Sequence, residues 1–103
     1  MSDLFKQPDD CRDMTEVRAG VDATDRELVA LLDRRYGYMR AAARIKTDRS
    51  VVRDEARKAE VIANASADAG KRGLPAEEIA QIWELLVESS IAYELDEWDR
   101  LRG

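Results

Sequence analysis

Seven residues break the pattern around them: Arg18, Arg35, Lys46, Asp54, Arg57, Ser90 and Glu94. An amphipathic helix keeps ionisable groups off its apolar stripe, because an unpaired charge is costly to bury, yet these fall on or beside such stripes. Arg35 is four residues after Leu31 and four before Met39, and Lys46 lies eleven beyond Arg35, three turns on and nearly in line. Asp54 and Arg57 precede Val61 and Ala65 at helical spacing, Ser90 and Glu94 stand between Val87 and Trp98, and Arg18 borders the stripe beside Val17. Taken singly, each reads as a flanking side chain whose stem covers apolar surface while its head reaches water. Taken together, they are cations, two carboxylates and a hydroxyl projected inward by different helices, which is what a pocket for a small anion requires. The chain has no histidine. That removes the usual general base, the usual metal ligand and every histidine-based triad, and no metal site is expected.

The elements that must position these residues are helical. From Met14 to Lys46 the apolar positions Val17, Val21, Leu28, Leu31, Leu32, Met39, Ala42 and Ile45 step by three, four and seven, the mark of one helix face. Thr15 is the expected cap, with Glu16 favourable in the first turn. Thr47-Asp-Arg-Ser50 is a polar break, and a second helix should start near Arg53 or Asp54 and run to about Ala69. Gly70-Lys-Arg-Gly73 is a stop signal. Pro75 with Glu77 and Glu78 opens a third helix, whose stripe is Ile79, Ile82, Trp83, Leu86, Val87, Ile91, Leu95, Trp98 and Leu101. Neither strand pattern nor internal repeat is present, so the fold class is all-α: one long helix, one medium, one long. Residues 1–13 read as an extended or poorly ordered N-terminal arm, and residues 14–103 as one helical domain.

The first helix, about 48 Å long, exceeds what its own chain can cover, since a compact chain of this size has a radius of gyration of about 13 Å. It is therefore expected to pair with a second copy. Arg18 and Arg35 are about 25 Å apart along it, too far to grip one small molecule. Antiparallel pairing about a midpoint near residue 29 or 30 would instead set the partner's Arg18 opposite position ~40, between Arg35 and Lys46, and build two mixed-subunit pockets.

Composition narrows the class. The chain has 103 residues, 45% hydrophobic and 38% charged, with net charge −5. These fit one amphipathic helical domain and disfavour nucleic acid as a partner. There is no apolar run long enough for a membrane span, and the first ten residues lack the pattern of a secretory signal. The single Cys11 cannot form an internal disulfide, so a cytoplasmic protein is expected. Cys11 reads as an inert arm residue, and Tyr36, Tyr38, Tyr93, Trp83 and Trp98 as core or rim packing.

Residues of these types at these positions resemble the all-helical class of chorismate mutases and the isochorismate-pyruvate lyase that shares its fold. The likeness spans Pro8 to Gly103. It is carried by Pro8-Asp-Asp-Cys11, Val17-Arg-Ala-Gly-Val-Asp22, Leu31-Leu-Asp-Arg-Arg35, Ala42-Ala-Arg-Ile-Lys46, Val52-Arg-Asp54 with Arg57, and Ile91-Ala-Tyr-Glu94. The resemblance implies an intertwined homodimer that needs no cofactor and binds a small dianion. Arg18 of the partner and Arg35 would bind substrate carboxylates, and Lys46 would contact a carboxylate and the ether oxygen of the breaking bond. Arg57 would be a further cation, Asp54 would receive the ring hydroxyl, and Ser90 would touch a carboxylate. Position 94 holds a second donor to the ether oxygen, commonly glutamine. Here it is Glu94, which donates only when protonated.

The implied reaction fits the inventory. Rearranging chorismate to prephenate needs no nucleophile, base or metal. It needs a flexible dianion held in its reactive conformer and positive charge where the ether oxygen turns negative. Arginine's planar fork suits carboxylates, and lysine suits the ether oxygen as a point charge. Two rivals stand beside this reading. One is isochorismate-pyruvate lyase, releasing salicylate and pyruvate in the same pocket; the Pro8-Asp-Asp-Cys11 stretch and the short spacing from 46 to 57 lean that way, and an amino-substituted chorismate is a related substrate. The other is a non-catalytic helical dimer, in which the first helix is plain coiled-coil seam, Arg35 and Lys46 set its register, and Lys46→Met is tolerated.

Overall fold

The computed structural model describes residues 5–103; the first four positions of the expected arm lie outside them. Three helices make up the fold: α1 (Met14–Ile45), α2 (Glu55–Lys71) and α3 (Ala76–Arg102), with single 3-10 turns at Pro8–Asp10 and Arg49–Val51. The fold is all-helical, as its periodicity implies. The chain divides into two compact units after Arg35.

In the first unit, residues 5–13 ahead of α1 are not extended throughout. The 3-10 turn at Pro8–Asp10 is flanked by extended Gln7 and Cys11, and Lys6 reaches Glu16 at 2.7 Å. The expected cap, Thr15, is not the one used. Asp13 accepts a hydrogen bond from the Glu16 N–H at 2.9 Å, and Glu16 turns back to accept from the Arg12 N–H at 2.7 Å. This reciprocal arrangement resembles a capping box, which needs an acid three residues after the cap, a spacing that Asp13 and Glu16 satisfy. Val21, Leu28, Val29 and Leu31 are each at least half exposed, so the apolar stripe here is uncovered by its own chain.

The second unit carries the core. Val52, Val87 and Ile91 are buried, with Val61, Ile62, Trp83, Leu95 and Trp98 packed against them, and Ala43 and Ala69 are buried as well. The stripe expected for the third helix is thus correct at its centre. It fails at Ile82 (56% exposed) and Leu101 (44% exposed), because helical phase places a residue on a face but does not say what covers that face. α2 starts one residue later than expected, since Asp54 is its cap and accepts from the Arg57 N–H at 3.0 Å. It ends at the anticipated stop. Leu74 N–H bonds to the Ala69 carbonyl and Gly73 N–H to that of Gly70, the paired closure of a Schellman motif. Gly73 has φ +73°, a conformation that glycine adopts without the strain a Cβ brings.

The α2 start is tied to α3 by a charge cluster. Arg53 meets Glu88 through two nitrogens at 3.0 and 2.7 Å, and Lys58 reaches Glu88 at 2.6 Å and Glu84 at 2.7 Å. Hydrogen bonds from Arg53 and Lys58 hold the Glu88 carboxyl down to about 2. A carboxylate whose pKa is lower in the folded state stabilises the fold above the ordinary carboxylate range and loses that contribution as pH falls toward the lowered value. The melting-temperature gap between wild type and Glu88→Gln should therefore be widest near neutrality and close progressively between about pH 4.5 and pH 2. A gap that stays constant over that range would show that Glu88 contributes packing rather than charge.

Candidate functional site

The site is built from the second unit outward. Lys46 directly follows the last turn of α1, where the helical hydrogen bonds end, and its N–H still bonds to the Ala42 carbonyl at 2.9 Å. Ser90 and Glu94 are one turn apart on α3, each only 4% exposed. These are the two buried polar residues among those described, and both belong to the seven that break the sequence pattern. Glu94 Oε2 lies 2.9 Å from Lys46 Nζ, with the lysine side chain 30% exposed and the glutamate 6%. That oxygen is buried and makes no other polar contact beyond this ion pair. Ser90 donates its hydroxyl to the Leu86 carbonyl at 2.7 Å.

The other candidates are placed differently. Asp54 spends one oxygen on the α2 cap, which is worth about 1 kcal/mol to the helix. Arg57 pairs with Glu60 at 2.7 Å, and both are more than 60% exposed, so neither Asp54 nor Arg57 is turned into the core as the stripe argument expects. In the first unit Arg18 is exposed and Arg35 is half-buried. The second unit therefore brings Lys46 to Glu94, one turn from the buried Ser90, and leaves Asp54 and Arg57 exposed.

Sequence reasoning misses how Lys46 is held. The Trp98 indole N–H donates to the Lys46 carbonyl at 3.1 Å, and Arg102 donates to the same carbonyl at 2.7 Å. By sequence Trp98 reads as packing, and Arg102 does not stand out. The available signal is their spacing, since Glu94, Trp98 and Arg102 recur every four residues along one helix. Further along the same pair of helices, Tyr36 and Ser89 share a hydrogen bond at 2.6 Å, Arg40 donates to the Tyr93 hydroxyl at 2.8 Å, and the rings of Tyr36 and Tyr93 meet edge to face at 4.9 Å.

No helix among the described residues is long and apolar enough to cross a membrane. In comparison with known proteins, the chain is 28% identical over 99 residues to the isochorismate pyruvate lyase of Pseudomonas aeruginosa, covering 96% of this chain and 98% of that one. The family model for chorismate mutase type II matches residues 17–95, a span that holds every candidate site residue from Arg18 to Glu94. With more than half of its length matched and three helices that deliver a lysine to a buried glutamate, the chain belongs to the chorismate mutase type II family.

Proposed function

We propose that this protein is a chorismate mutase that rearranges chorismate to prephenate. The observation that carries the reading is the Lys46–Glu94 contact at 2.9 Å with Glu94 buried. It sets a cation beside a second group able to donate once protonated, which is the pair that a developing ether oxyanion calls for. Lys46 supplies the charge and Glu94 the second donor. Arg35 binds a substrate carboxylate, and Arg57 adds a cation at the rim. Asp54 receives the ring hydroxyl through its carboxylate, and Ser90 turns its hydroxyl from Leu86 to a carboxylate. The remaining carboxylate partner, Arg18, comes from a second copy. The uncovered stripe of Val21, Leu28 and Leu31 on α1 supports this homodimer with shared pockets. Residues 14–103 then form the catalytic domain and 1–13 its arm, and no cofactor is required. The cytoplasm is the compartment proposed, supported by a lone, unpaired cysteine.

A second reading is favoured by the full-length likeness to a lyase: elimination of pyruvate from isochorismate in the same pocket. The deciding experiment assays purified protein with chorismate and with isochorismate, following prephenate, salicylate and pyruvate. Prephenate as the main product is the expected result, and dominant salicylate and pyruvate would move the assignment to the lyase. Inactivity with both would favour a non-catalytic dimer. Because a carboxyl donates only when protonated, the rate should rise as pH falls, and Glu94→Gln should flatten that profile. A pH-independent wild-type rate would sink the donor role of Glu94.

A further inference from the structure

We propose that Trp98 and Arg102 are positioning residues for Lys46, an inference that rests on the function proposed above. Lys46 stands where α1 ends, so its carbonyl lacks the N–H that a continuing helix would supply. A residue at such an end is free to fray, and its ammonium would lose its aim. Here one face of α3 holds it at both ends. Glu94 takes the ammonium at 2.9 Å. Four residues on, the Trp98 indole donates to the Lys46 carbonyl at 3.1 Å. Four residues further, Arg102 donates to that carbonyl at 2.7 Å and to the Ala43 carbonyl at 3.0 Å. The same guanidinium lies 3.5 Å from the Arg44 carbonyl and 4.2 Å from the centre of the Trp98 ring.

The guanidinium is thus a cap for α1 supplied by another helix. It fills the orphan carbonyls of the last turn, sets a cation at the negative end of the dipole, and is itself oriented by stacking on the indole. A planar fork is needed to reach the carbonyls of 43 and 46 together, which a lysine cannot do. Neither residue need touch substrate. Both act on the reaction through where Lys46 is pointed, and a misplacement of about 1 Å can cost up to ~10²-fold in rate.

The test uses the full-length chain with Trp98→Phe, which keeps a ring for stacking and deletes the donor, and with Arg102→Gln and Arg102→Lys. With the substrate that wild type turns over best, Trp98→Phe and Arg102→Gln should each lower kcat by roughly tenfold with KM within about twofold, well below their melting temperatures. Arg102→Lys should recover only part of the loss. Amide hydrogen exchange over residues 44–48 should quicken in both variants while exchange in α2 stays unchanged. The double variant should fall short of the product of the single effects, because the two groups grip one carbonyl. Wild-type kcat in both single variants, or unaltered exchange over 44–48, while Lys46→Ala is inactive would overturn the positioning role alone. An active Lys46→Ala would overturn the site reading and this proposal with it.

Discussion

Replacing Lys46 by alanine is expected to lower kcat by about 10²–10³-fold, the usual effect of deleting one preorganised donor to a developing oxyanion. The loss should fall on kcat more than on KM, because charge on the ether oxygen exists chiefly in the transition state. The fold should survive. Lys46 contributes little core volume, and its side chain is 30% exposed. The variant does leave the buried Glu94 without its cation. Losing one partner of a fully buried pair costs about 3–5 kcal/mol, and for this partly exposed lysine about 1–3 kcal/mol is the corresponding range. Steady-state kinetics beside a thermal melt separates the two effects. A variant that melts close to wild type and still turns over substrate would remove Lys46 from the chemistry.

Subunit exchange gives the second large effect. Arg18→Ala and Lys46→Ala homodimers should each be nearly inactive, since each lacks a group in both pockets. If Arg18 serves the partner's pocket, a heterodimer collects both defects in one pocket and leaves the other intact. Random exchange makes half of the dimers heterodimers, so the mixture should recover roughly a quarter of wild-type activity. Recovery should grow with exchange time and vanish when the subunits are cross-linked beforehand. A mixture that stays as inactive as its components would mean that Arg18 and Lys46 belong to the same chain's pocket, or that no shared pocket exists.

Part of the site is legible in the amino-acid sequence. Glu94 and Ser90 stand on the α3 stripe in phase with Val87 and Ile91, and all four are buried. A polar residue in phase with a core face announces itself, because phase is a local property of the helix. Asp54 stands out by its charge, but its capping role has an equally local signal in the helix start three residues before Arg57. Expectation and structure part where a competing local interaction wins. Asp13 displaces Thr15 as cap because only Asp13 has an acid at the reciprocal spacing. Arg57 lies outward, paired with Glu60 one turn on.

What the sequence by itself determined is the helical class, the three segments and their stops, the phase of each face, and the family to which they belong. All of these rest on interactions within a few residues: periodicity, caps, proline and glycine geometry. What only the tertiary structure decided is which groups separated by about fifty positions come into contact. Lys46 meets Glu94 at 2.9 Å, and Trp98 and Arg102 close on the Lys46 carbonyl, because α3 is packed so that its four-residue row passes the end of α1. No local rule encodes that alignment. It follows from how Val52, Val87 and Ile91 fill the core with Trp83, Leu95 and Trp98, and the volume of those side chains, rather than their order in the chain, sets where a helix end comes to rest.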